Sequence, residues 1–480
     1  MAPVTAPGRS LASVARGGVL GLAGAGAGAA AQVALVLVVT RSFPPATAGA
    51  LFTAMALCLM TAGVVRLDAS NGLVHALAHH SSGAERAPMS AYVRAAGYPV
   101  IALSTVTGVA VYLLAPTVAD VTGVPGEWVR LLALALPFIA CADVLVAATR
   151  GLGAMGPTTY LLGVVQPLTQ LTLICLATIA GSASALPLAW ALPYVPVLAL
   201  AALWLYRHTP PAVVARTEAR YMLGAEHRQT GPGTPPEAVG GPGPGADERA
   251  RHTRHAAAEL WRHTGPRAAA GGIQAVFQRL DIVIVAVLAG PVEAACYTAA
   301  TRFKLIGQLT AQGLAHAVQP RLVRALTGHD LHTARRLYQV TTLWLVALTW
   351  PVWIAYAALA PWLPALLGAA YERGAQVAVV LAVTMMIASA CGMADLALIA
   401  AGHTTTSLAN TTIAITVTVA ADIALVPAHG ALGAALGWSA GVLVKNLLPL
   451  FHLHRKYRLR PFGRHTPAAL RPRTWHEGAA

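Results

Sequence analysis

The sequence predicts an all-α integral membrane protein of about twelve transmembrane helices, arranged as two pseudo-symmetric six-helix lobes. Three observations predict it. The chain is 56% hydrophobic and only 11% charged, with a mean hydropathy of +0.61, whereas a soluble domain carries about 25% charged residues. Its apolar residues fall in runs of about 20, the length that crosses a bilayer core. The runs come as six and six around one polar stretch, the pattern of a duplicated membrane architecture.

The first lobe occupies residues 1–206, with helices at Gly17–Val39, Ala48–Leu77, Gly97–Ala115, Trp128–Ala148, Thr158–Ala180 and Leu186–Tyr206. The first of these contains GLAGAGAGAAA. The GxGxxG spacing of a dinucleotide loop fails there, because Ala29 stands at the last glycine position. The run reads instead as small residues that let helices approach closely in lipid. Residues 207–267 are rich in Pro, Gly and charge, with no apolar period, and read as a disordered cytoplasmic linker. The second lobe, residues 268–453, places helices at Ala268–Leu288, Ala294–Val318, Val340–Leu359, Gln376–Ala400, Thr405–Leu425 and Ala431–Phe451. Residues 454–480 form a basic cytoplasmic tail. A weak internal match supports the duplication: Gln32 in AAAQVALVLVV aligns with Gln278 in AVFQRLDIVIV.

Positive charge sets the orientation. With the N-terminus inside, the inner segments collect most of the Lys and Arg, from Arg9 and Arg16 to the tail HRKYRLRPFGR, and the outer segments hold only Arg41, Arg130 and Arg373. The net charge of +15 is therefore topological and predicts no nucleic-acid partner. It places a multi-pass chain in the cytoplasmic membrane with both termini cytoplasmic, and its tail against the headgroups of membrane lipids. The five cysteines all lie in apolar runs without metal spacing. No GxxxxGK[ST] or HExxH is present, which argues against an enzyme and calls for no cofactor or metal.

The chemistry concentrates between Ala268 and Val318. Arg279, Asp281, Arg302 and Lys304 interrupt two apolar runs joined at Gly290-Pro291. Each charge at a span centre costs roughly 2.5–3.5 kcal/mol on insertion scales, so such residues face protein or water and mark candidate paths for cargo. Asp281 and Arg302 fall at similar depth on neighbouring helices. Two readings stand: an ion pair that fixes two helices, or Arg302 and Lys304 presenting positive charge to an anionic cargo. In the second helix, Arg66, Asp68 and Asn71 lie towards the cytoplasmic half, as a cavity floor or as a helix emerging from the membrane. Asp143, Asp395, Asp422 and Lys445 also lie in or near spans, and the sequence selects none of them as a coupling site.

The chain resembles the polysaccharide flippases of the multidrug/oligosaccharidyl-lipid/polysaccharide superfamily, close to the Wzx-type and polysaccharide-transport branches. The likeness rests on the first helix with its terminal Thr40-Arg41 and the short turn towards Gly49, on ATRGLG followed by Tyr160, on Asp281, Gly290, Tyr297, Ala300 and Arg302, and on Gly433, Ala434 and Ala435. The resemblance implies a V-shaped two-lobed body whose cationic cavity opens alternately to each side. Its cargo would be a polyprenyl-diphosphate-linked oligosaccharide, bound by Arg302 and Arg41, with Arg66, Lys304 and Arg279 adding positive charge. A guanidinium suits that role because it donates in a fork and stays charged. Asp281, Asp68, Gln32 and Gln278 would support the site or couple it to an ion gradient. Glycan polymerases or glycosyltransferases of the same pathway would be partners. The alternative is an ion-coupled exporter of drugs or metabolites with the same fold, and a non-transporting scaffold is the third class. The two additional helices of lipid II flippases are absent, and the first helix carries no acid.

Overall fold

The computed structural model describes residues 7–80, 89–152, 154–208, 246–302, 330–368 and 371–464, with residues 314, 318, 322–326, 328 and 466. Every regular element among them is helical. Among the described residues, eleven helices are long and apolar enough to cross a membrane. The expected span Ala294–Val318 is described as helix at its beginning and again at residues 314 and 318, and most of the rest of it, with Lys304, lies outside the described residues.

The first lobe runs α1 (Pro7–Ser42), α2 (Pro45–Val65), α3 (Ala69–His80), α4 (Met89–Leu113), α5 (Ala115–Thr122) and α6 (Gly126–Gly151). It continues through α7 (Met155–Tyr160), a π-helical turn Leu161–Val165 and α8 (Gln166–Ile179), then α9 (Leu186–Ala191) and α10 (Tyr194–His208). The second lobe follows as α11 (Ala246–Ala289), α12 (Pro291–Thr301), α13 (Leu331–Leu359), α14 (Leu363–Leu367), α15 (Gly374–Ala390), α16 (Ala394–Ala400), α17 (Thr404–His429) and α18 (Ala431–Tyr457). The glycine-rich part of α1 lies against the π-helical turn: a Cβ on Gly28 would sit 2.7 Å from the Gly163 carbonyl oxygen. Only glycine allows the two backbones to meet there.

Two sequence expectations need correction. The helix expected at Ala48–Leu77 is broken. α2 ends at Val65, and Leu67 and Asp68 adopt left-handed backbone angles, φ 51° and 56°, before α3 restarts. Apolar residues continue on both sides, so the break has no signature in hydropathy. It is held instead by charge: Arg66 pairs with Asp143 of α6, and Asp68 pairs with Arg267 of α11 at 3.4 Å. The second correction concerns the linker. Residues 246–267 are the first half of α11, which continues unbroken into the span expected at Ala268. Ala256 and Leu260, one helical turn apart, are buried among Leu73, Tyr92 and Val144. Tyr92 donates to Glu259, and the Trp261 indole donates to the Ala95 carbonyl at 3.1 Å. A short, mostly apolar run, Ala256 to Trp261, in a polar stretch is too faint a stripe to read alone, and tertiary contact completes the helix.

The ends of the bundle differ. At the end holding Gly290, one continuous apolar core joins the lobes, with Leu35, Phe52 and Trp190 from the first and Tyr297, Trp353 and Ala434 from the second. At the end holding Arg267 the buried apolar residues among those described fall into two separate clusters. One gathers α3, α4, α6 and the start of α11. The other gathers Leu322, Tyr338, Leu398, Leu453 and Leu459 of the second lobe.

Candidate translocation site between the lobes

α11 and α12 meet at Gly290, whose φ of 88° reverses the chain. Asp281 lies eight residues back along α11, about 12 Å below that turn at 1.5 Å per residue. Asp422 lies seven residues before the end of α17, about 10 Å below the same end of the bundle. Arg279 and Arg302 follow at roughly 15 and 17 Å, so the four charges share the middle of a hydrocarbon layer about 30 Å thick.

Of the two readings the sequence left open, the ion pair between Asp281 and Arg302 is not formed. Asp281 Oδ2 accepts from the Tyr297 hydroxyl at 2.7 Å, and Oδ1 accepts from the Ile282 amide at 2.9 Å. Tyr297 sits on α12 five residues before Arg302, so the carboxylate is turned towards the upper part of that helix. Arg302 is half-buried, and its Nε has no hydrogen-bond partner. Arg279 is also half-buried, and no ion pair within 4 Å is found for it among the described residues. Asp281 lies within electrostatic reach of both arginines.

Asp422 was not singled out by sequence and is the most isolated charge in the site. It is fully buried, and neither carboxylate oxygen has a hydrogen-bond partner among the described residues. It faces α18 at Gly437, where a Cβ would come 3.0 Å from the Asp422 Cγ, and Asp281 is within electrostatic reach. A buried carboxylate without donors must be neutralised by a proton or a cation. The available signal was an acid in mid-span with a glycine available on the next helix, but sequence alone does not register one helix against the other.

The remaining expected site residues lie elsewhere. Arg41 is exposed at the Gly290 end. It donates from Nε to the Leu366 carbonyl and from an Nη to the Ala365 carbonyl, both at 2.6 Å. These are the orphan carbonyls at the C-terminus of α14, where cations are favoured. Its guanidinium thus ties the first lobe to the second at the rim, outside the cluster of buried charges. Nearby, Gly49 of α2 packs directly on the Pro291 carbonyl, and Glu293 of α12 pairs with Arg373 at 2.8 Å. Arg66 is engaged by Asp143, and Asp68 also accepts from Asn71 at 2.6 Å. These groups brace the α2–α3 break. Gln32 donates to Gln170 at 3.2 Å, and Gln170 donates to the Trp190 carbonyl at 3.0 Å. That chain lies within the first lobe, whereas Gln278 is exposed, so the two aligned glutamines occupy different surroundings. No group of three or more His, Cys, Asp or Glu able to hold a metal occurs among the described residues.

No family model and no curated relative matches the chain. Solved structures do. The chain is similar to an inward-facing multidrug resistance MATE family transporter of the MOP superfamily, with a TM-score of 0.65 and 14% identity over 89% of this chain and 94% of that one. It is similar to the lipid II flippase MurJ in an inward closed conformation, with a TM-score of 0.58 and 12% identity over 96% and 90% of the two chains. An outward-facing MATE family transporter matches with a TM-score of 0.54 and 15% identity over 93% and 95%.

Proposed function

With the fold of MOP-superfamily transporters as its frame, we propose that this protein moves an anionic, lipid-linked glycan precursor across the cytoplasmic membrane by alternating access. The observation that carries this reading is the pair of half-buried arginines, Arg279 and Arg302, at mid-membrane depth with no ion pair within 4 Å among the described residues. Guanidinium groups without a close ion pair at that depth suit a diphosphate, which accepts several charge-assisted hydrogen bonds at once. Lys304, which lies outside the described residues, would add to the same charge. The single core at the Gly290 end and the divided cores at the Arg267 end support a state closed on the first side and separating on the second. Positive-inside placement assigns the Arg267 end, with both termini, to the cytoplasm. Asp281 and Asp422 would exchange the proton or cation that drives the cycle. Enzymes that build or polymerise the glycan would supply and consume the cargo.

Asp422 also supports a second reading, an ion-coupled exporter of small molecules. The test is a deletion strain in which polyprenyl-diphosphate-linked oligosaccharides are extracted and probed for accessibility from each side. The flippase reading requires accumulation on the cytoplasmic face, rescued by wild type and not by Arg302→Ala. Unchanged glycan lipids with altered efflux of small cations would overturn it. In either case Asp422→Asn should leave the protein folded and remove the dependence of transport on the ion gradient.

A further inference from the structure

α18 does not simply run out of the bilayer. It ends at Tyr457, and Arg458 takes a left-handed conformation, φ 53°, which turns the chain back on itself. Leu459 is then fully buried beside Leu453 and Tyr338, and the Gln339 amide donates to the Arg460 carbonyl at 3.4 Å. The returning segment and the last turns of α18 enclose a groove of about 490 Å³. Leu447, Leu450 and Phe451 form one wall, Leu459 and Pro461 the other, and His454 and Arg460 complete the lining. Phe451 and Leu447 are 57% and 47% exposed, so the wall continues into the lipid-facing surface of α18. His454 Nδ1 is buried without a hydrogen-bond partner, and Arg460 is exposed with no carboxylate within ion-pair distance among the described residues.

We propose that this groove is a site for one anionic glycerophospholipid of the bilayer, with an acyl chain along the apolar walls and the phosphate between His454 and Arg460. Charge complementarity selects the occupant. From Ile423 to His476 the sequence contains Lys445, Arg455, Lys456, Arg458, Arg460, Arg464, Arg471 and Arg473 and not one acid. Basic residues immediately beyond a membrane helix attract anionic headgroups, and a groove open to lipid adds a place for the chain that a free phosphate lacks. The site lies at the opposite end of α18 from Gly437 and Asp422. It rests on α18 crossing the bilayer and not on the identity of the cargo.

The test uses full-length protein in detergent, titrated with phosphatidylglycerol or phosphatidylcholine and read by native mass spectrometry. Wild type should retain one phosphatidylglycerol in preference to phosphatidylcholine. Arg460→Ala should weaken that retention about fivefold, the effect of one basic contact at a membrane surface, His454→Ala should weaken it less, as loss of one polar contact, and Arg464→Ala should change it least. Inorganic phosphate should not displace the lipid. In unmutated protein, phosphatidylglycerol with a photoactivatable acyl chain should crosslink within residues 447–461, which keeps the test independent of variant folding. Equal retention of both lipids, crosslinks elsewhere, displacement by phosphate, or unchanged retention in both variants would overturn the proposal.

Discussion

Replacing Arg41 with Gln separates two roles for this residue: a ligand for the cargo, or a tie between the lobes. Its guanidinium makes two hydrogen bonds of 2.6 Å to the Ala365 and Leu366 carbonyls. A buried hydrogen bond to a charged group contributes about 1.5–3 kcal/mol. Arg41 is exposed, so solvent screening reduces each contact towards the surface range of about 0.2–1 kcal/mol. Together they stabilise closure of the Gly290 end by about 1 kcal/mol, which corresponds to roughly a fivefold shift in the open-to-closed ratio. Spin labels on Val121→Cys and Trp362→Cys, both exposed near that end, measure the shift by pulsed dipolar spectroscopy in protein lacking Cys141 and Cys175. The long-distance population should rise about fivefold in Arg41→Gln. Arg41→Lys, which keeps the charge but not the fork, should fall between. An unchanged distance distribution together with lost binding of the lipid-linked cargo would refute the tie and return Arg41 to the cargo site.

Tyr297→Phe removes the hydroxyl that satisfies Asp281 and should lower stability by about 1–3 kcal/mol. In a double-mutant cycle with Asp281→Asn, read by thermal unfolding, the two losses should be clearly less than additive. Gly28→Val forces α1 away from the Gly163 carbonyl and should cost about 1–3 kcal/mol, seen as a lower Tm in detergent. Asp330, at the N-cap of α13, accepts hydrogen bonds from the Thr333 hydroxyl and amide, which hold its carboxyl below the usual carboxylate range. A pKa depressed on folding stabilises above the unfolded value of about 4, and that contribution is lost as pH falls through the lower folded value. The Tm advantage of wild type over Asp330→Ala should therefore be present at neutral pH and shrink as pH falls below about 4. An advantage that grew in acid would contradict this cap.

Asp281 illustrates how far sequence reading reached. Its depth and its neighbour on the next helix followed from counting residues, because rise per residue is fixed and both helices start from one turn. Its partner did not. Arg302 and Tyr297 are both on α12, and which of them meets the carboxylate depends on rotation about the helix axis, which hydropathy does not record. Arg41 shows a different limit. Its position at a span end was legible, but its acceptors are carbonyls 324 and 325 positions away, and every residue type offers a carbonyl. Asp422 was visible only as one of several intramembrane acids. What distinguishes it is that neither of its oxygens makes a hydrogen bond among the described residues, a property of how its neighbours pack.

The sequence by itself determined that this chain is a bundle of membrane helices, because a bilayer accepts only segments that satisfy their own backbone and are apolar enough to enter it. It also determined where most spans begin and end, and that charge is placed where charge is costly. Tertiary structure alone decided that residues 246–267 are helical, that α2 breaks at Leu67, that Arg66 and Arg41 serve as braces, and that Asp422 stands alone. The reason is physical. Transfer into lipid is a property of each segment, summed over its own residues. Pairing, breaking and isolation are properties of helix registers and rotations, and those are fixed only when the helices pack.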